Sequence, residues 1–344
     1  MRKLSLLLIG LIMFSMLVLT SCKKGGHSAP QTDTSNKYSI LKDYMVANNF
    51  DLEKILGGTG MPSPSFVVSA PTSQTGVDAF LATYYIMDIR LPADYNAGKL
   101  TGAINVEFKN ILTAGATATK PILVVCYSGN ESAYATALLR MYGKRDAVAL
   151  RWGMSGWNST YANHPNGWNN RTANIIDFDK NHFWSVPNSP APATEIFLPP
   201  NVVLPATAGE AIFKARIEAV VAEGFKGVSA STVRNSPRDY FINAYLSNTD
   251  YLAFGHILIA QRIQPFNLAG TLTGNLTNLN IHSSFRVAVY CHTGQTSGVV
   301  TAWLRVLGYD SYSLTYGMNA LWHTNPAWGT SVNKWTTAHP IGLN

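Results

Sequence analysis

The sequence predicts an α/β protein built from two tandem copies of one domain, each a mainly parallel central sheet flanked by helices. Three observations predict it. Short apolar runs such as Ile122-Leu123-Val124-Val125, suited to strands buried on both faces, alternate with stretches of helical periodicity. Residues 122–132, an apolar run ending in Cys126 and passing through a polar loop into a helix, return as residues 287–297 around Cys291. The register then holds: Leu139-Arg140 matches Leu304-Arg305, Gly143 matches Gly308, Gly153-Met154 matches Gly317-Met318, and Pro165 and Trp168 match Pro326 and Trp328.

Taken in order, Arg2 and Lys3 precede an apolar stretch over 4–19 that closes on Leu19-Thr20-Ser21-Cys22. This is similar to a bacterial lipoprotein signal, in which cleavage leaves a lipidated cysteine at the new terminus. One transmembrane anchor is the alternative, but the run is short for a span. The reading is therefore a signal peptide over 1–21, lipidation at Cys22 and a polar tether over 22–36. Membrane attachment through that lipid would place the chain in the envelope of a Gram-negative bacterium, on the periplasmic face or the outer membrane.

The first domain is expected over 37–185. Residues 38–56 read as one helix, with Leu41, Met45, Ile55 and Leu56 on its apolar positions and Gly57 as its stop. Strands are expected at 66–70, 84–90, 122–125 and 147–150, helices at 76–83 and 133–142, and a glycine-punctuated loop at 95–105. The proline-rich stretch 186–205 reads as a semi-rigid linker. The second domain, over 206–344, repeats the order with a helix at 209–223 and strands at 228–230, 240–245 and 255–257.

The chain has 344 residues, 47% apolar and 13% charged, which excludes a disordered protein. Its net charge of +7 falls to +5 once Arg2 and Lys3 leave with the signal. The basic residues are scattered, so no nucleic-acid partner is expected. No cofactor is required, and no His/Cys spacing suits a metal.

Cys126 and Cys291 carry the chemistry. An even pair outside the cytoplasm invites a structural disulfide, but two equivalent loops would have to face each other closely for that bond to form. At the end of a buried strand, a loop opening into a helix can turn its backbone N–H groups onto one point, with the helix N-terminus adding positive charge. A thiolate there is expected to have a lowered pKa and to act as a nucleophile. Tyr127, Ser128, Gly129, Asn130, Glu131 and Ser132 form the first loop, and His292, Thr293, Gly294, Gln295, Thr296 and Ser297 the second. Gly129 and Gly294 can take positive φ, and Ser132 and Ser297 can cap the helices. An inert core cysteine is the plain alternative.

The sequence resembles the rhodanese family over nearly all of both halves. The resemblance rests on Met87-Asp88-Ile89-Arg90, Asp94-Tyr95, residues 98–105, the Cys126 loop and Arg151-Trp152-Gly153-Met154. In the second half it rests on Gly255-His256-Ile257, the Cys291 loop and Tyr316-Gly317-Met318. It implies two tandem rhodanese-like domains and a sulfurtransferase in which Cys126 and Cys291 carry sulfane sulfur as persulfides. The donor would be a small sulfur-containing anion such as thiosulfate, or a polysulfide or persulfide. The acceptor would be a thiophile such as cyanide, a thiol or a protein.

Two departures bear on this. Many active members place a cation five residues after the cysteine, where this chain has Glu131 and Thr296. The Asp88/Arg90 pair, read as structural support for the loop, is replaced by Asn243 and Tyr245 in the second half. Cysteine-loop phosphatases would need an arginine at Ser132 or Ser297. His164, His256 and the tryptophans 152, 157, 168, 322 and 328 read as structural, and His292 as a rim residue or donor contact. Sequence alone narrowly favours Cys291 as the thiosulfate site, because its loop lacks the acid. A non-catalytic binding or redox-sensing module is the competing class.

Overall fold

The structure is a computed structural model describing residues 35–57, 65–176, 183–191, 195–269, 279–339 and 342. The signal, Cys22 and nearly all of the tether lie outside these residues. Among the described residues no helix is long and apolar enough to cross a membrane.

Two parallel sheets dominate. The first contains β1 (Val67–Val68), β2 (Tyr85–Asp88), β3 (Ile104–Asn105), β4 (Ile122–Val125) and β5 (Val148–Leu150), in the order β1-β5-β4-β2-β3. After β6 (Trp184–Ser185) come β7 (Gly227–Val228), β8 (Tyr240–Ala244), β9 (His256–Ile257), β10 (Arg286–Tyr290) and β11 (Ser311–Leu314). The second sheet has the order β7-β11-β10-β8, which is the first sheet's order without its edge strand. A single parallel bridge from Asn243 to Gln261 stands where that edge strand would be. β6 crosses over to pair antiparallel with β9, so the first half lends a strand to the second.

The alternation of side chains in the central strands divides the interior. Ile122 and Val124 of β4, with Val287 and Val289 of β10, join a core shared with the helices Tyr38–Ala47, Asn130–Met141, Gly209–Glu223 and Gln295–Val306. The intervening Leu123 and Val125 pack with Val77, Leu81 and Trp157. Ala288 and Tyr290 pack with Val228, Ile242 and Tyr251. Period-two strands with both faces covered are the arrangement their unbroken apolar runs require.

The helices that follow the two cysteines cross at their N-terminal ends. A Cβ placed on Gly298 would come within 2.9 Å of the Asn130 carbonyl oxygen and 3.6 Å of the Ala133 Cβ. Both helices are buried on nearly all sides, which explains why Thr136 and Thr301 lie inside. Arg140 is buried as well; it donates to the carbonyls of Ala147 (2.7 Å), Ile55 (2.8 Å) and Ser65 (2.7 Å). Its counterpart Arg305 keeps one carbonyl, that of Ser311 (3.1 Å), and otherwise reaches the carboxylates of Asp310 (2.9 Å) and Glu223.

Three expectations change. The helix expected over 38–56 breaks into Tyr38–Ala47 and Leu52–Leu56, because Asn49 turns left-handed (φ 58°) and Asp51 starts a new helix by accepting from Leu52 N. The helix expected from 133 begins at Asn130, so Ser132 lies inside its first turn, and Ser297 does the same in Gln295–Val306. The stretch expected as a semi-rigid linker is anchored near its end at Pro200 and Val202, while most of its other described residues are exposed. Val202 is buried, its carbonyl accepts from Lys37 N (2.7 Å), and its N–H donates to Asn36 Oδ1 (3.0 Å).

Gly298→Val should force the crossing helices apart. The expected loss of stability is about 1–3 kcal/mol for overpacking a closed contact, read as a lower urea midpoint. An unchanged midpoint would show that the crossing is not tight.

Candidate active site

Each cysteine ends a buried strand, and the chain then folds so that loop carbonyls point outward and amides inward. In the first half, Met154 N donates to the Cys126 carbonyl (2.9 Å), Ser155 N and Oγ to that of Tyr127 (3.1 and 2.8 Å), and Trp168 Nε1 to that of Ser128 (2.9 Å). With the carbonyls occupied from outside, the amides of Gly129 (3.1 Å) and Ser132 (3.3 Å) donate to Cys126 Sγ, and the thiol donates to Ser132 Oγ at 3.4 Å. The second loop repeats this around Cys291 Sγ, with Gly294 N at 3.2 Å, Ser297 N at 3.3 Å and Ser297 Oγ at 3.7 Å. Ser132 and Ser297 therefore face the thiols instead of capping helices.

Gly129 (φ 88°) and Gly294 (φ 80°) make the turn that aims these amides. Beneath the loops, Trp152-Gly153 and Tyr316-Gly317 are two consecutive left-handed residues in each half, with φ of 64° and 58°, then 63° and 53°. A Cβ on Gly153 would lie 2.7 Å from the amides of Ser128 and Gly129. The aromatic residues ahead of these glycines are locked by packing: Trp168 lies edge-on to Trp152 (4.8 Å) and to Tyr316 (4.9 Å), and stacks on Trp335 (5.5 Å). That cluster joins the two halves.

The loops abut. A Cβ on Gly129 would sit 3.0 Å from Gln295 Cδ, and one on Gly294 would sit 2.9 Å from Asn130 Cγ. Asn130 Nδ2 donates to the Thr293 carbonyl (3.2 Å), and its Oδ1 accepts from Tyr316 N (2.7 Å). The loops do face each other, as a disulfide would require, yet both thiols are free.

The supporting residues differ between halves. Asp88 is fully buried and grips Arg90 through Nε (3.0 Å) and Nη2 (2.7 Å), while Nη2 also donates to the Gly98 carbonyl (2.6 Å). The guanidinium lies 5.9 Å from the Tyr127 ring centre. Tyr127 hydrogen-bonds to Asp94 and stacks on His164 (4.6 Å), which itself contacts Asp94 at 3.2 Å. In the second half Asn243 instead pins Ile263 through its N–H (2.8 Å) and carbonyl (3.3 Å), and Tyr245 packs on Phe266. His256 is buried and stacked on Tyr251 at 4.0 Å, a packing role.

Electrostatics departs from the sequence expectation. Burial pushes the Cys126 thiol up, and the Glu131 charge adds to this, outweighing the hydrogen bonds from Ser132. Glu131 itself is half-buried and pushed up to about 7 by desolvation. His292 is pushed down by burial despite Asp250 at 3.7 Å, so it is mainly neutral near pH 7.

A cavity of about 290 Å³ opens over Cys126, walled by Ser128 and Glu131 of the loop, Arg171, and Thr315 and Tyr316 from the second half. Arg171 is held by the Pro165 carbonyl (2.8 Å) and Asn166 Oδ1 (2.7 Å). It is the feature sequence reasoning missed. Neither periodicity nor motif spacing brings it to the cysteine; the chain's return past Trp168 does.

Fold and amide cradle together define a cysteine-loop α/β protein. The family profile described as "Rhodanese-like domain" matches residues 73–160, which include the Cys126 loop. The thiosulfate sulfurtransferase GlpE of Pseudomonas fluorescens (strain SBW25) is 38% identical over 78 residues, 22% of this chain and 72% of that protein. The GlpE of Tolumonas auensis is 31% identical over 83 residues, 24% of this chain and 78% of that protein. Among solved structures, a rhodanese-related protein from Thermoplasma volcanium has 21% identity and a TM-score of 0.22, covering 26% of this chain and 85% of that one. A thiosulfate sulfurtransferase from Pseudomonas aeruginosa has 15% identity and a TM-score of 0.27, covering 82% of this chain and 46% of that one. The chain belongs to the rhodanese family.

Glu131→Gln should lower the apparent pKa for alkylation of the Cys126 peptide, by about half a unit to one unit for a charge across a partly screened pocket. Because the folded carboxyl titrates near 7, above its unfolded value, the stability it contributes is fully present below the unfolded pKa and is lost as pH rises through about 7. The variant should therefore gain on the wild type between about pH 5 and about pH 8, by at most about 3 kcal/mol. Labelling profiles that coincide would remove Glu131 from control of the thiol.

Proposed function

We propose that the protein is a sulfurtransferase that carries sulfane sulfur as a persulfide on Cys126. One observation carries the reading: two amides and a hydroxyl converge on a thiol at the floor of a cavity with a guanidinium in its wall. The Cys126 thiolate attacks the outer sulfur of thiosulfate, a polysulfide or a persulfide. The donor's S–S bond breaks, and its electron pair leaves on the remaining anion, sulfite in the case of thiosulfate. The inward amides of Gly129 and Ser132 then face the negative charge of the new persulfide, as an oxyanion hole faces a developing oxyanion. A thiophilic acceptor attacks the outer sulfur and releases the Cys126 thiolate.

The narrow preference for Cys291 is reversed in this reading. Arg171 supplies a positive charge at the Cys126 cavity, and the profile-matched residues carry that cysteine. At the second loop His292 is kept neutral by burial. Cys22 carries the lipid in the same proposal and fixes the protein to the cell envelope, on the support of residues 1–22.

A non-catalytic binding or redox-sensing role is the second reading. It is favoured by the burial of both thiols, 1% and 3% exposed, and by the upward shift at Cys126.

Full-length protein incubated with thiosulfate, and separately with polysulfide, is expected to gain the mass of one sulfur in the wild type and in Cys291→Ser. Cys126→Ser should gain none. If no sulfur is added while the denatured thiols react fully, the binding-module reading takes precedence.

A further inference from the structure

The Cys126 cavity carries charges of both signs that do not neutralise each other. Arg171 is exposed, and its two assigned hydrogen bonds go to a carbonyl and an amide oxygen; among the described residues no carboxylate pairs with it. Glu131 lies in the first turn of the Asn130–Met141 helix, and no cation pairs with it among the described residues. Phe225 adds an apolar wall, and Tyr316, whose hydroxyl donates to the Asn166 carbonyl (2.8 Å), fixes the side nearest Arg171.

A dianion such as thiosulfate meets Arg171 favourably and Glu131 unfavourably. A half-buried carboxylate beside a reactive thiol is costly unless something positive arrives with the ligand. An α-amino acid group brings both complements at once, in a cavity of about 290 Å³ that suits a molecule of that size. Resting on the sulfurtransferase reading above, we propose that this site selects a zwitterionic donor, a cysteine-type hydropersulfide whose ammonium group faces Glu131 and whose carboxylate faces Arg171.

The step balances without any further reactant. The Cys126 thiolate attacks the outer sulfur of the hydropersulfide, a Cys126 S–S bond forms and the donor S–S bond breaks. The electron pair leaves on the donor's inner sulfur as cysteine thiolate, and the proton stays on the transferred sulfur.

The test uses the full-length chain in detergent, with sulfur loading and alkylation read on the Cys126 peptide by mass spectrometry. Cysteine hydropersulfide should load the wild type about tenfold faster than N-acetylcysteine hydropersulfide, which lacks the ammonium; tenfold corresponds to about 1.4 kcal/mol. Glu131→Gln, which also frees the thiolate and so acts on both donors alike, should bring the ratio of the two loading rates to about one, and Arg171→Gln should slow both donors. Independently of sulfur transfer, S-methylcysteine should slow alkylation of Cys126 more than its N-acetyl derivative does. Equal loading by the two hydropersulfides, or a preference that survives Glu131→Gln, overturns the donor assignment and leaves the sulfurtransferase reading standing. Loading by neither of them, nor by thiosulfate or polysulfide, overturns that reading and the donor assignment with it.

Discussion

Each cysteine loop is roofed by the first residue of the helix that leaves the other. Gln295 lies over Gly129 and Asn130 lies over Gly294, and no side chain larger than hydrogen fits at either glycine. Two helix N-termini brought together place partial positive charges side by side. The groups at that junction are those that such a field accommodates: side-chain amides, two thiols and the Glu131 carboxyl. The inward amides, the left-handed residues beneath them and the aromatic joint around Trp168 are all gathered around this contact.

The contact is shared, but its two sides have diverged. The first half keeps the charged Asp88–Arg90 clamp, which steadies Gly98 and underlies Tyr127. The second replaces it with the neutral Asn243 pin. The second half supplies walls to the cavity over Cys126 through Thr315 and Tyr316. A repeated fold thus builds a site in which one copy contributes the nucleophile and the other contributes its surroundings.

The parts of this arrangement legible in the sequence were those encoded locally. The run 122–125 had to be a doubly covered strand because it is apolar at every position, and it is buried at every position. The glycine three residues after each cysteine announced the turn. Ser132 was misread because its role depends on where the helix starts, and the helix starts three residues early. The upward shift at Cys126 was invisible because burial, a property of the assembled core, outweighs the loop amides that sequence can anticipate. Arg171 was missed for the same kind of reason: only the path of the folded chain brings it to the thiol. The break at Asn49 was masked by apolar positions that continue in helical register on both sides of it.

The strap between the halves has a mechanical consequence. Asn36 bonds to the Pro200 carbonyl (3.3 Å) and to Val202 N, and Lys37 N bonds to the Val202 carbonyl. Val202 packs into the core shared by both sheets, and Pro200 and Val202 lie against Gly308 at the end of the second cysteine helix. A pull arriving through residue 35 therefore meets the hydrogen bonds of Asn36 and Lys37 to the strap, and the buried Val202 behind them, before it reaches either sheet.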